Sequence, residues 1–431
     1  MGACCSCHRG GGRLAGHYVD NERERREVVD DDDDIVMRGD AGALIRLQGS
    51  SKYVSMFSQQ GKKGINQDAM TAWENFSGDK DMFLCGVFDG HGPSGHKVAR
   101  YVRDNLPGKI SRLYRQPCID GKDAVFNIET ESNDGCQNSE SKNPLFLSWK
   151  ARLTKCYHEM DEQIEGDASI ESYCSGTTSV CVLKKGEHLI IANLGDSRAV
   201  LCKKDKNSQL VSEQLTVDLK PNLPSEAERI RSCEGRVLAM EEEPNVYRVW
   251  MPNEDCPGLA MARAFGDFCL KDFGLISTPQ VTYRKLTDAD EFVVLATDGI
   301  WDALSNDEVV QIVASARKRS MAAKLLVEQA RWAWRYKFPR AKIDDCACIC
   351  LFFKSQRHVL TKSVSEKTHL SLNYNNVDVQ SQTGSMQSDD ALDTVLNCKL
   401  DEEYQEAEAG NGANLNRPRR RKTRRLEVVG E

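Results

Sequence analysis

An α+β fold resting on antiparallel strands is predicted by three features of this chain. Short runs rich in Val, Ile, Leu, Phe and Cys are bounded by turn residues or charges. Several of these runs are separated by mere turns, which implies antiparallel pairing. Helical stretches fall between others without the regular βαβ rhythm of a doubly wound sheet.

The elements follow in chain order. "DMFLCGVF" (81–88) reads as a strand that ends abruptly in Asp89, Gly90 and His91. "LSWKARLTKCYHEMDEQI" (147–164) places Trp149, Leu153, Cys156, Met160 and Ile164 at spacings of three and four, one buried helical stripe. "TTSVCVLKK" (177–185), "HLIIANL" (188–194) and "RAVLCKK" (198–204) read as strands linked by turns, and "EFVVLA" (291–296) as another. "SNDEVVQIVASA" (305–316) opens with Ser305 as an N-cap and carries acids in its first turn, which suit the helix dipole. "MAAKLLVEQARWAW" (321–334) puts Ala322, Leu325, Leu326 and Ala330 on one helical face. In "CACICLFF" (346–353), Cys346, Cys348 and Cys350 alternate at strand period and so share a face.

Composition bounds the rest. At 431 residues, 40% hydrophobic and 29% charged, the chain is long enough for a large core and solvated enough to be globular. A net charge of −7 argues against a general nucleic-acid binder. No run approaches the ~18 apolar residues of a membrane-spanning helix, and no apolar secretory segment follows Met1. The 17 Cys are scattered, several inside apolar runs, and read as buried free thiols in a reducing compartment. Cys4, Cys7 and His8 have zinc-ligand spacing, but no second pair follows at the usual interval.

Three regions emerge. Residues 1–50 are polar and irregular, with an acidic block at Asp30–Asp34 that suits a solvated tail. Residues 51–355 form the globular domain, interrupted by a polar surface insertion at 117–148. Residues 356–431 lose periodicity and are expected to be disordered. They close with "RPRRRKTRR" (417–425), which suits a nuclear address, an acidic-lipid patch or a solvated tail.

The abrupt ending after residue 88 recurs. "EFVVLATDGIWD" runs a second apolar strand into Asp298-Gly299, and Asp344-Asp345 stand directly before "CACICLFF". Upstream, "KKGINQDAM" places Asp68 beside Asn66 and Gln67. Any one of these suits an ordinary Asp turn. Together, carboxylates at strand ends are what a hard cation needs, because Mg²⁺ and Mn²⁺ prefer oxygen ligands and retained waters.

The sequence closely resembles the metal-dependent serine/threonine protein phosphatases of type 2C, and among them a plant-type branch. The matching stretches are "GKKGINQDA", "CGVFDGHGPSG", "YCSGTTSVCVL", "IANLGDSRAVL", "LTVDLKPNLPSEAERI", "GLAMARAFGDFCLK", "FVVLATDGIWDALSNDEVV" and "DDCACICLF". They stand in the family's order over roughly residues 51–355. The resemblance implies an antiparallel β-sandwich flanked by helices on both sides (αββα). It implies hydrolysis of phosphoserine and phosphothreonine in proteins by a hydroxide that two Mg²⁺ or Mn²⁺ ions activate, without a covalent enzyme intermediate. Asp89 then bridges the two ions, the Gly90 carbonyl joins one, and Asp298 and Asp344 complete the other. Asp68 positions metal waters, and Asp267 is a candidate ligand for a third, weaker ion. His91 corresponds to the general acid that protonates the leaving alkoxide. Family members usually have Asp followed by Asn before the last strand, which favours Asp344 over Asp345 as ligand. The family is usually monomeric.

Two positions depart from the pattern. Lys63 stands where many members carry a phosphate-binding Arg, and a point charge replaces a bidentate fork, implying looser phosphate capture. Gln67 replaces a Glu and removes one negative charge beside the metals. The competing reading, a catalytically weak relative acting as a membrane-tethered binding partner, predicts loss of Asp89 or Asp298; both are present.

The start "MGACCSC" adds a separate expectation. Met1-Gly2 with Ser6 fits the N-myristoylation pattern, and Cys4, Cys5 and Cys7 offer palmitoylation sites for the second signal that stable anchoring needs. The chain is therefore expected at the cytoplasmic face of the plasma membrane, with a cytosolic or nuclear pool, acting on phosphorylated proteins.

Overall fold

The computed structural model describes residues 36–38, 42–46, 53–115, 144–241 and 243–354. The acylation motif, most of the insertion at 117–148 and the basic cluster lie outside the described residues.

Among the described residues the strands form two large sheets and two small ones. The first large sheet runs β1 (Val36–Arg38), β2 (Ala43–Arg46), β4 (Ala69–Glu74), β5 (Met82–Phe88), β8 (Ser179–Lys185), β9 (His188–Leu194) and β16 (Gln280–Lys285). The second runs β11 (Leu210–Gln214), β10 (Arg198–Lys204), β17 (Asp290–Ala296), β18 (Cys346–Phe352) and β3 (Val54–Gln59). One small sheet joins β12 (Arg236–Ala239), β13 (Tyr247–Trp250) and β14 (Pro257–Leu259). The other joins β15 (Phe265–Gly266), β7 (Gly176–Thr177) and β6 (Gly90–His91).

Every pairing between these strands is antiparallel except one: β2 lies parallel to β4, with Ile45 opposite Ala72. Ile45 is completely buried. The folded unit therefore begins before residue 51, inside what the sequence marks as tail.

The helices are α1 (Gly95–Arg115), α2 (Pro144–Gly166), α3 (Pro224–Ser232), α4 (Asp298–Trp301), α5 (Asn306–Ser315) and α6 (Ala322–Lys337). Strand alternation decides how they stack. In β18, Ala347, Ile349 and Leu351 point into a core shared with Val87, Val182 and Ile191 of the first sheet. The intervening Cys346, Cys348 and Cys350 face α5 and α6 through Val310, Leu326 and Trp334. On the far side, Val98, Val102 and Leu106 of α1 and Leu153, Tyr157 and Met160 of α2 cover Leu84, Cys181 and Ile190. The order is helices, sheet, sheet, helices. The central strands β5, β8, β9, β17 and β18 are buried on both faces, so they read as nearly continuous apolar runs.

Ser305 forms a capping box with Glu308, its Oγ accepting the Glu308 N–H at 3.2 Å. Leu325 is only half-buried; Val327 and Trp334 fill the core face of α6 in its place. The helix α1 carries Gly95 at its start and Pro107 inside, both unfavourable to helix. Its stripe of Val98, Val102, Leu106 and Ile110 against the first sheet outweighs that preference.

Candidate active site

The antiparallel register brings several chain segments to one edge of the sandwich. Ala69 at the start of β4 pairs with Phe88 at the end of β5, so Asp68 and Asp89 emerge together. Ala296 at the end of β17 pairs with both Arg198 and Cys348. That puts Asp298, Asp196 and the Asp344-Asp345 pair at the same edge. These acids lie between the sheets, drawn from the strand ends of each.

Backbone hydrogen bonds fix Asp89. Its N–H donates to Thr178 Oγ1 at 3.0 Å, and its carbonyl accepts from the Thr178 N–H at 2.9 Å. Gly90 follows in a place with no room for a side chain, since a Cβ would collide with the backbones of Gly95 and Gln67. Asp68 is buried and accepts from Thr297 Oγ1 at 2.9 Å, which links the first sheet's site residue to the second sheet.

The two adjacent acids before β18 have different partners. Asp345 accepts the Gly61 N–H at 2.6 Å and the Gln67 N–H at 2.9 Å, so both its oxygens hold the loop that carries Lys63. Asp344 is contacted by the Lys63 ammonium and its charge acts on Asp89 and Asp298, whereas that of Asp345 falls on Asp68.

Electrostatics follow from this crowding. Burial pushes the Asp89 carboxyl well above the carboxylate range, and Asp298, Asp68, Asp344 and Asp196 push it further. Burial does the same to Asp68, helped by Asp345 and Asp298 and opposed by the Thr297 hydroxyl. Asp298 is pushed up to about 8 by burial, then by Asp196, Asp344 and Asp302. Burial lowers the Lys63 ammonium, but Asp344, Asp298 and Asp89 more than reverse it. Lys220, in contact with Asp196, behaves likewise.

The donor set fits a hard divalent cation. It is built of carboxylate oxygens whose mutual repulsion the Lys63 and Lys220 ammoniums relieve only in part. Asp196 Oδ1 and Gln67 Oε1 are buried without partners. Among the described residues no three Asp, Glu, His or Cys side chains are preassembled as a chelate. Repelling carboxylates hold apart, and Mg²⁺ keeps several waters in its shell rather than demanding an all-protein cage.

Asp267 does not join the acids around Asp298. Its Oδ2 lies 2.6 Å from His91 Nε2, so the carboxylate is committed to the imidazole. The further acids that act on Asp298 are Asp196 and Asp302. Neither was singled out from the sequence. Asp196 ends the apolar run "HLIIANLG" as Asp89 ends its own, so the same signal was present. Asp302 stands one helical turn after Asp298, its N–H donating to the Asp298 carbonyl at 2.8 Å.

A profile described as "Protein phosphatase 2C" matches residues 53–334. The chain belongs to the protein phosphatase 2C family. It is 52% identical over 365 residues to "Probable protein phosphatase 2C 65" of Arabidopsis thaliana, covering 85% of this chain and 91% of that one. It is 54% identical over 304 residues to "Probable protein phosphatase 2C 73" of Oryza sativa subsp. japonica, covering 70% and 72%. These relatives place it in the plant-type branch, among metal-dependent serine/threonine phosphatases. The fold is also similar to the solved serine-threonine phosphatase 2C from Toxoplasma gondii, with a TM-score of 0.57 and 24% identity over 71% of this chain and 97% of that one.

Proposed function

We propose that this protein phosphatase 2C member hydrolyses phosphoserine and phosphothreonine in proteins at the edge where Asp68, Asp89, Asp298 and Asp344 converge. The observation that carries this reading is the convergence of carboxylates from both sheets at one edge, with buried Asp68 bonded to Thr297 across them. Asp89 would be shared by two Mg²⁺ or Mn²⁺ ions, the Gly90 carbonyl would join one of them, and Asp298 and Asp344 would complete the other. Such ions, when bound, neutralise phosphoryl oxygens and make water acidic enough to attack as hydroxide near neutral pH.

The remaining roles belong to the chain's own groups. Asp68, fixed by Thr297, orients the attacking water. Lys63, more than half exposed, reaches the substrate phosphate as a point charge. His91, in β6 just after Asp89, protonates the departing alkoxide. For a third, weaker ion the acids beside Asp298 are Asp196 and Asp302.

The same proposal includes an acylated anchor: Gly2 myristoylated and Cys4, Cys5 and Cys7 palmitoylated, holding a monomeric enzyme at the cytoplasmic face of the plasma membrane. No helix among the described residues is long and apolar enough to cross a membrane. Phosphate release from a phosphothreonine peptide, measured with Mn²⁺ and with a chelator, tests the activity. Release that is absent with Mn²⁺, or unchanged by the chelator, overturns the reading.

A further inference from the structure

The chain as a whole carries a net charge of −7, yet one stretch runs the other way. Residues 331–342, the last turns of α6 and the loop after it, hold Arg331, Arg335, Lys337, Arg340 and Lys342 and no acid. Lys337 meets Glu308 at 3.5 Å. Arg335, Arg340 and Lys342 are exposed and make no ion pair with any described residue. Arg331 Nη1 is buried without a hydrogen-bond partner, and Arg335, one turn on, repels its guanidinium. Like charges four apart weaken a helix, so helix stability does not account for the cluster.

The fold carries this stretch to the rim of the site. Trp334 Nε1 donates to the Gly299 carbonyl at 2.6 Å, which fixes the end of α6 beside Asp298. Phe338, 41% exposed, packs on Trp334 with ring centroids 5.2 Å apart, and the chain then turns back toward β18. There the Lys62 N–H donates to the Ile343 carbonyl at 2.7 Å. The two segments run so close that a Cβ at Gly61 would overlap the Ile343–Asp344 backbone. Exposed Lys62 and Lys342 flank this crossing. Its own acids are taken: Asp344 by Lys63, and both Asp345 oxygens by backbone N–H groups.

We infer that this rim is the docking surface for an acidic segment of the phosphoprotein substrate, flanking its phosphoserine or phosphothreonine. The inference rests on the phosphatase reading of the site and adds a substrate class to it. A phosphate held at Lys63 leads the residues on one side of it toward Lys62, Lys342 and Arg340. Carboxylates there find cations that no described group of the chain neutralises. Arg335 extends the row to a residue several positions along, at ~3.3 Å of extended peptide per residue. Each exposed pair contributes little alone, and a row of them acts chiefly on capture. Anionic lipid would meet the same cations, but a bilayer on this rim would stand against the mouth through which a phosphoprotein enters.

The test varies peptide and patch together. Three phosphothreonine peptides carry a run of Glu before the phosphoresidue, a run of Glu after it, or Gln in all those places. p-Nitrophenyl phosphate, which has no flanks, reports the catalytic centre alone. At saturating Mn²⁺ the wild type is expected to favour one acidic peptide over the Gln peptide about tenfold in kcat/KM, mostly through KM, which a few exposed pairs can supply. The advantage fades between about 0.05 and 0.5 M salt. The combined Arg335→Gln, Arg340→Gln and Lys342→Gln variant loses it and keeps its rate on p-nitrophenyl phosphate. The combined Arg335→Glu, Arg340→Glu and Lys342→Glu variant disfavours that same peptide. As ratios on one sample, these readings are unmoved by partial misfolding.

A wild type that favours neither acidic peptide, or a preference that the variants keep, overturns the inference and leaves the phosphatase reading intact. A Gln variant that loses binding to phosphatidylserine vesicles but keeps the peptide preference makes the patch a lipid surface and also overturns it. So does a rate increase on every peptide produced alike by the Gln variant and by Asn at Asp30–Asp34, which makes the chain's own acidic block the occupant. A wild type inactive on every substrate removes the phosphatase reading itself.

Discussion

The Lys63 ammonium sits against the Asp344 carboxylate, so the residue proposed to hold substrate phosphate is paired with a residue proposed to hold metal. One side chain cannot serve both partners fully. Lys63→Ala is expected to raise KM for a phosphopeptide about tenfold with a smaller loss in kcat. It also frees Asp344, so the Mn²⁺ concentration for half-maximal activity falls. Lys63→Arg keeps KM within about threefold of wild type. Equal losses of kcat and KM-dependent rate in both variants would remove the phosphate-holding role.

The neighbouring acids separate cleanly. Asp345→Asn retains an acceptor for the Gly61 or Gln67 N–H and is expected to keep most activity, with a stability loss of about 1–2 kcal/mol. Asp344→Asn is expected to lose activity at least 100-fold with an unchanged melting temperature. Reversed outcomes in steady-state rate and thermal melting would exchange the two assignments.

Removing charge from the cluster separates catalysis from stability. Asp89→Asn and Asp298→Asn each should abolish turnover while raising the melting temperature of the metal-free protein, since they relieve repulsion among buried carboxylates. Retention of more than about a tenth of the wild-type rate, a change under ~1.4 kcal/mol in barrier, rules out the ligand role.

The pH dependence of metal-free stability follows from Asp298. Its carboxyl is held at about 8 in the fold against an ordinary 3.8, so the folded state binds the proton more tightly than the unfolded chain. That contribution is fully present below about pH 4 and is lost as pH rises through about 8. In a chelator, the melting temperature is expected to fall between pH 5 and pH 8, and Asp298→Asn flattens the slope. Mn²⁺ raises it most at pH 8, where the site is most negative.

The anchor is tested by fractionation. Gly2→Ala is expected to move the protein from membranes to the soluble fraction with its solution activity unchanged. Changing Cys4, Cys5 and Cys7 to Ser leaves weaker attachment, because a single acyl chain binds only marginally. A soluble wild type that Gly2→Ala does not alter would dismiss the anchor.

Much of the architecture was legible along the chain because its strands carry their own signal. Runs such as "HLIIANL" are apolar on both faces, and the residues that end them are the glycines and acids of the site. Asp89, Asp298 and Asp344 could be picked out because each stands at the boundary of such a run. The helix stripe of Leu153, Cys156, Met160 and Ile164 was equally plain. What local pattern left undecided was which acid meets which partner. Asp344 and Asp345 are chemically identical neighbours, and only the approach of Gly61 and Gln67 makes one structural. Asp267 looked like another strand-end carboxylate until β6, β7 and β15 set it against His91, 176 positions away. Strand β2 was hidden in a polar segment because its burial comes from β4, not from its own run. Hydrophobic pattern is a property of neighbours in sequence; the pairing of buried charges depends on neighbours in space.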